Sequence, residues 1–459
     1  MKSLLSILGF VFAHTPECVM RLLCRAVGAL ICYFPCGRTR VAYANVRHCF
    51  PDMDPREVRK TVFESCSRMV EMALFVVASP HMSVKRLAKR VVIDDFVEKK
   101  LAEFSANPRP LVLLVPHFAM METITMFPLL AKNAKLPATG VFYRPFDSAG
   151  MEAWVKQSRQ RFGIEMLSRR TGMLSAVDIL KRKGCVAVLF DQNAGMAGCE
   201  SLLFDMVCST SELAGILAER TNAVCAVFFA ERTGFWSSRI CGEMLDASDM
   251  ESITYAGNEW LERRLRESTV SRYDWLWLHK RWKIYPDQPR SLRMRGGKSI
   301  LDYTLKRRGL DALPRTRPIY ITLPDSFKDM QSLAPILERL RLSRPDARVV
   351  LLCGGECGEF FSKRPDCADE VVVLPSRKNF AARFAALRAE SKKYPEISLA
   401  FEDSFWADAE SRILNAPQRN AVRFGRRRRF MTWVYDVRGK GAQSQCAAFL
   451  KMLEASGMR

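Results

Sequence analysis

A histidine five residues ahead of a carboxylate, in Val-Pro-His-Phe-Ala-Met-Met-Glu over 115–122, is the pattern in this chain best suited to acid–base chemistry. Neighbours on a regular helix stand three or four residues apart, so His117 and Glu122 would sit poorly on one helical face. The apolar run Leu-Val-Leu-Leu-Val before them reads as a buried strand ending at Pro116, and a helical pattern begins near Ala119. A histidine at the mouth of the strand and a glutamate in the early turns of the helix can then meet. The carboxylate would fix the ring's tautomer and support its charged form. That is the base-and-orienter half of a triad, with a substrate hydroxyl in place of an enzyme nucleophile. The spacing alone is not specific, because the same pair also arises where both residues only pack.

The elements around this pair set the rest of the expectation. Further strands read at 140–143, 186–190 and 223–229, with helical stretches at 149–162 and 174–183 between them. Strands alternating with helices indicate an α/β domain with a largely parallel sheet, whose ligands bind beyond the carboxyl ends of the strands. His117, Arg144 and Asp191 all fall at such ends. Upstream, 52–57 begins a helix with Pro55 in its first turn, and the helix continues through Met72. A break at 284–318, rich in proline, glycine and basic residues, reads as linker. A second α/β pattern follows, with strands at 318–323, 348–353, 371–374 and 397–401 and a helix at 329–343; its length suits one Rossmann-like unit.

With 459 residues the chain is too long for one ordinary core. A formal charge of +22 calls for an anionic partner: nucleic acid, an anionic membrane surface, or an acidic protein or substrate. The 15 cysteines are scattered and lack the paired spacing of a zinc site, so they read as reduced thiols packed like small apolar residues, with no metal. Two apolar stretches, at 1–13 and 18–34, open the chain. Neither is a clean run of about 20 apolar residues, although the first ends in small residues as a signal peptide would. Arg21 and Arg25 at helical spacing suit an interfacial helix or a shallow anchor.

Taken as ordered blocks, residues 1 to about 285 resemble the lysophospholipid acyltransferase superfamily, and within it the late (lauroyl/myristoyl-type) acyltransferases of lipid A biosynthesis. The family's His-x4-Asp/Glu motif corresponds to His117 and Glu122. Its substrate-binding block resembles Val-Phe-Tyr-Arg-Pro at 141–145, and its D-Q-x-x-G block Asp-Gln-Asn-Ala-Gly at 191–195. Gly198, Phe204, Ser209 and Thr210 follow in order, and Trp-Leu-Trp-Leu-His-Lys-Arg-Trp-Lys at 275–283 closes the set. One departure is Cys-Glu-Ser-Leu-Leu-Phe-Asp-Met at 199–206, where the family carries a basic or glycine-rich stretch and a proline; it bears on chain length and acceptor more than on the reaction.

The resemblance implies that His117, oriented by Glu122, deprotonates a hydroxyl of a lipid A precursor, which attacks an acyl thioester. The donor would ride on the phosphopantetheine of an acyl carrier protein, or alternatively on coenzyme A, with no bound cofactor. Arg144, Asp191, Gln192, Gly195, Ser209 and Thr210 become candidate substrate-binding residues. Arg144 would take acceptor phosphate or the developing oxyanion, while Ser209 and Thr210 equally suit a helix cap. Trp275, Trp277 and Trp282 read as core or interfacial anchors. The implied partners are a membrane surface, an acidic carrier protein and an anionic glycolipid, on the cytosolic face of the inner membrane. Two alternatives stay open: a lysophospholipid or other glycolipid acceptor, and a non-catalytic glycolipid-binding adaptor.

Residues 318 to about 437 resemble the N-terminal, acceptor-side half of a family 9 (heptosyltransferase-type) glycosyltransferase, through Phe-Lys-Asp-Met at 327–330, 344–352 and 402–419. Asp329 stands at that family's catalytic aspartate, but Lys328 replaces the preceding glycine. Only one half of such an enzyme is represented, so this is read as a degenerate site that binds a lipid-linked sugar or a protein. The Arg run at 426–429 lacks a nucleic-acid-binding motif, and no nucleic acid is expected. The expected organisation is thus membrane-anchoring helices at 1–40, an acyltransferase-type mixed sheet flanked by helices at 41–285, a basic linker at 286–317, and a smaller Rossmann-like domain at 318–459.

Overall fold

The computed structural model describes residues 2–34, 37–131, 137–145, 147–283, 290–325, 327–425, 428–437 and 444–459. The chain divides into two units, Met1–Leu203 with Cys208–Trp282, and Phe204–Val207 with Lys283–Arg459.

In the first unit the apolar run at 111–115 sits near the middle of a seven-stranded sheet. Its strands are β1 (Val91–Ile93), β2 (Leu111–Val115), β3 (Thr139–Tyr143), β4 (Glu165–Ser168), β5 (Cys185–Leu189), β8 (Val224–Gly234) and β9 (Ser237–Leu245), in the order β1-β9-β8-β2-β5-β3-β4. Between β5 and β8 lies a separate ribbon of β6 (Cys199–Leu203) and β7 (Met206–Thr210). β2 runs parallel to β5 and β8 on its two sides, which is why it reads as continuously apolar. The β8–β9 hairpin is the antiparallel exception. The four strands expected from sequence are present. Three-residue β1 and four-residue β4 are too short to leave a periodic signal.

The N-terminal stretches form helices Lys2–His14 and Glu17–Tyr33, bent by 119° at the break before Glu17. No single helix among the described residues is long and apolar enough to cross a membrane. The second helix buries Met20, Cys24, Gly28 and Cys32, one residue per turn, against the long helix Pro55–Ala78. At Gly28 a Cβ would lie 2.6 Å from the Ser67 Cα, so only glycine permits that approach. The opposite side exposes Leu4, Ile7, Phe10, Leu22 and Leu30. The helix expected from 52–57 starts at Pro55, capped by Asp54, and runs six residues past Met72 to Ala78.

In the second unit six strands form an all-parallel sheet, β10 (Arg317–Thr322), β11 (Ala347–Cys353), β12 (Glu370–Val373), β13 (Ile397–Ala400), β14 (Gln418–Arg423) and β15 (Trp433–Asp436), ordered β12-β11-β10-β13-β14-β15. The chain leaves β10 in one direction and returns to its other side at β13, which makes the β10/β13 crevice the topological switch point. One expectation is corrected here: where described, the segment 286–317 is not a linker. The Leu292 amide donates to Ser456, the Met294 amide donates to Ser343, and Leu301–Arg308 is a helix. Leu292 joins the second unit's core and Ile300 and Leu301 are buried too, and charge count alone hides them. Residues 286–289 lie outside the described residues.

Candidate active site

His117 follows β2 by two residues, and its ring meets a residue 74 positions away. The His117 Nδ1 lies 2.6 Å from the Asp191 Oδ1, and the His117 backbone N–H donates to Oδ2 at 2.8 Å. The Trp275 indole N–H donates to the same Oδ2 at 2.7 Å. Asp191 comes two residues after β5, the strand beside β2, so the two carboxyl ends deliver base and acid side by side. Burial alone would raise the Asp191 carboxyl. The His117 ring charge and the bonds from His117 and Trp275 outweigh it, and the group is held below the usual carboxylate range. An ionised oxygen facing Nδ1 assigns the proton to that nitrogen and leaves the Nε2 lone pair for a substrate. The ring's side chain is 14% exposed and its partner's 1%, a reachable base on a sealed support.

Glu122 is not that support, which corrects the expected pairing. Both its oxygens accept from Arg159, Oε1 from Nε at 2.8 Å and Oε2 from Nη2 at 2.9 Å. The helix expected at Ala119 opens instead as a 3₁₀ turn, Met121–Met126, in which Glu122 is buried. A fork-to-carboxylate pair of this geometry ties helix Ala149–Gln160 to the segment after His117. Glu122 therefore positions that segment, and Asp191 orients the ring.

The blocks found in sequence converge behind Asp191. The Asn193 amide donates to the His279 Nε2 at 2.9 Å, and the Asn193 side chain donates to the Lys280 and Arg281 carbonyls. The Asn45 side chain donates to the Trp277 and His279 carbonyls. Burial, with the Arg281 charge adding to it, lowers the His279 ring to about 4, so it stays neutral and accepts. Gly195 turns the loop at φ +63°, a left-handed position suited to glycine, and its carbonyl accepts from the Ser209 hydroxyl. The fully buried Arg281 donates to the Ser209 carbonyl and to Thr210 Oγ1.

Ser209 and Thr210 are thus sealed within the protein rather than placed to touch substrate, and they lie in β7 rather than capping a helix. Gln192 is half-buried next to Asp191, and Arg144 is exposed one residue beyond β3. Trp275, Trp277 and Trp282 are buried. Trp275 adds a bond to the acid, a role its apolar surroundings do not reveal. Arg159 had no signal beyond its place in a helical stretch.

Beneath the sheet, on the face of Leu111 and Leu113, lies a cavity of about 310 Å³. Val141, Ala187, Phe228 and the aromatic side of helix Asp95–Ala106 line it, with Arg109, Arg182 and Lys183 near the amino ends of the strands. Among the described residues no His, Cys, Asp or Glu cluster is placed to hold a metal, and the cysteines there are unbridged and, apart from Cys18, buried.

Asp329 is exposed ahead of helix Met330–Ser343, in the second unit. It borders a cavity of about 420 Å³ at the β10/β13 switch point, with Lys328, Glu402 and Gln445. In the basic run, Arg428 is buried against Asp408 and Arg429 is exposed, while Arg426 and Arg427 lie outside the described residues.

An imidazole paired with a buried acid at the carboxyl end of a central strand, in an α/β sheet with an apolar cavity, is an arrangement suited to acid–base chemistry on an apolar substrate. Residues 1–284 match the bacterial lipid A biosynthesis acyltransferase family, and the chain belongs to that family. No curated protein matches the chain. Among solved structures, the family 9 glycosyltransferase from Veillonella parvula DSM 2008 is similar at 17% identity with a TM-score of 0.29. The similarity covers 32% of this chain and 42% of that one, so less than half of that protein's length is spanned.

Proposed function

We propose that the first unit moves a fatty acyl group from a carrier thioester to a hydroxyl of a lipid A precursor, with His117 as general base and Asp191 as its orienter. The observation that carries this reading is the 2.6 Å contact between the His117 Nδ1 and a buried, ionised Asp191. Nε2 takes the proton of the acceptor hydroxyl as its oxygen attacks the thioester carbonyl. The tetrahedral adduct then expels the thiolate, which takes the proton back from the imidazolium. Atoms and charge balance without a metal or redox partner. General-base catalysis of this kind contributes about 10²–10⁴-fold, and positioning the two substrates supplies much of the rest.

The apolar cavity under the sheet is assigned to the acyl chain, and exposed Arg144 to an acceptor phosphate. The chain's +22 charge suits an acidic acyl carrier protein and anionic lipid at the cytosolic face of the membrane; polyanionic coenzyme A would be drawn by the same charge, so a test with each donor separates the two.

The test is transfer of a labelled acyl group from carrier protein, and separately from coenzyme A, to lipid A precursors. Wild type should turn over with the carrier-bound donor, and His117→Ala should lose at least about 10²-fold. Undiminished transfer by His117→Ala would remove the mechanism. Filling the cavity with Ala187→Leu should shift preference to shorter chains.

A further inference from the structure

The second unit carries an aromatic surface that acyl transfer does not use. Phe380 and Phe384 are stacked one turn apart at the start of helix Phe380–Ser391, with ring centroids 6.0 Å apart. Trp406, in the first turn of helix Phe405–Leu414, lies 6.1 Å from Phe380 and 6.1 Å from Phe405. All four are exposed, Phe380 at 55% and Phe405 at 51%. They come from the connections after β12 and β13, so they share the carboxyl end of the second sheet. The segment after β14 joins them: the Phe424 amide donates to the Asp403 Oδ2, and Phe424 and Phe430 are exposed. Phe430 holds φ +64°, an unfavourable setting for a bulky residue, with its carbonyl fixed by the Arg419 Nε at 2.6 Å.

Around the rings, three carboxylates turn inward onto guanidinium groups: Glu410 onto Arg383 at 2.7 Å, Glu402 onto Arg377 at 2.6 Å, and Asp408 onto buried Arg428 at 2.7 Å. Lys378, beside Phe380, and Arg429, beside Phe430, face solvent. The outer layer is therefore aromatic rings edged by cations. Aromatic side chains favour the interface between headgroups and acyl chains, and neighbouring cations add attraction to anionic lipid. A protein-binding core would normally withdraw lysine from its centre and rim it more evenly with both signs.

We propose that this end of the second unit is a docking surface for an anionic lipid bilayer. It is independent of the helices Lys2–His14 and Glu17–Tyr33 and of the acyl-transfer reading.

The experiment is hydrogen–deuterium exchange on the full chain with vesicles of phosphatidylethanolamine and phosphatidylglycerol, and with phosphatidylcholine alone. Peptides covering 379–386, 404–408 and 424–432 should be protected by the anionic vesicles and much less by phosphatidylcholine. The combined Phe380→Ser, Phe384→Ser, Phe405→Ser and Trp406→Ser variant should lose this protection while peptides from 4–33 keep theirs. If that variant unfolds, Lys378→Glu with Arg429→Glu tests the same surface, and local protection should fall about fivefold or more for each cation lost. Peptides from 4–33 protected by lipid with no change at 379–386, 404–408 and 424–432 would overturn the proposal. So would protection of these peptides by acyl carrier protein without lipid, which would make the surface a protein-docking face.

Discussion

Two largely parallel sheets in this chain open at their carboxyl ends, and among the described residues only the first sets a histidine against an acid there. In the first unit Asp191 directs its charge at a ring, accepting from the His117 Nδ1, the His117 amide and Trp275. In the second unit the buried or half-buried acids Asp325 and Glu410 at the same end are bound to arginine, Asp325 to Arg383 at 2.7 Å and Glu410 to both Arg377 and Arg383, while Asp329 is exposed. A carboxylate facing a guanidinium is held by a charged pair that orders the loop it sits on. A carboxylate facing an imidazole sets up a base. All five histidines lie at or before residue 279, so the second crevice lacks the one side chain whose ordinary titration falls near neutral pH. Sheet topology makes a crevice, and the partner of the acid decides whether chemistry follows.

The largest expected contrast comes from emptying each crevice in turn. His117→Ala should cost about 10²–10⁴-fold in kcat, while Asp329→Asn should leave labelled acyl transfer unchanged. A large loss in Asp329→Asn would mean that the second crevice joins the reaction.

Next comes the choice of acid within the first unit. Asp191→Asn should lower kcat by about 10²-fold or more with KM little changed, because an amide cannot hold the Nδ1–H tautomer. Glu122→Gln should lower kcat less and fall instead on stability, by about 1–3 kcal/mol in urea unfolding, because Arg159 loses the charge it was built around. If Glu122→Gln matched Asp191→Asn in kcat with an unchanged melting temperature, Glu122 would be the orienter after all.

The smallest effect expected is a pH dependence of stability. The His279 ring titrates near 4 when folded, below its ordinary value of about 6.5, so the unfolded chain binds the proton first. Stability should be complete above about pH 6.5 and decline as pH falls toward 4, by no more than about 3 kcal/mol from this group. Comparing urea midpoints of wild type and His279→Gln between pH 4.5 and 7 isolates it. The variant should show the shallower slope, and equal slopes would place the titrating group elsewhere.

The strands that frame the site were legible because β2, β5 and β8 are buried on both faces and read as apolar runs. So was His117, since a histidine closing such a run is conspicuous. Its partner was not. Glu122 is near in sequence, and Asp191 is near only because β2 and β5 pair in register, Val115 beside Leu189. Parallel pairing joins residues dozens of positions apart, and spacing carries no trace of it. The D-Q-x-x-G block did mark Asp191 as important without saying what it touches. The packed segment after residue 290 was missed for a related reason. Its buried apolar residues Leu292, Ile300 and Leu301 are outnumbered by cations, most of which stay at the surface.

The three donors on Asp191 have a consequence for kinetics. A carboxylate so fully occupied keeps its charge under mildly acidic conditions, and neutral His279 has already given up its proton there. The acid limb of a kcat/KM curve should then bend once, with a slope of one, and report a single ionisation in the free enzyme. A limb of slope two would reveal that acid and ring release their protons together, as one coupled unit.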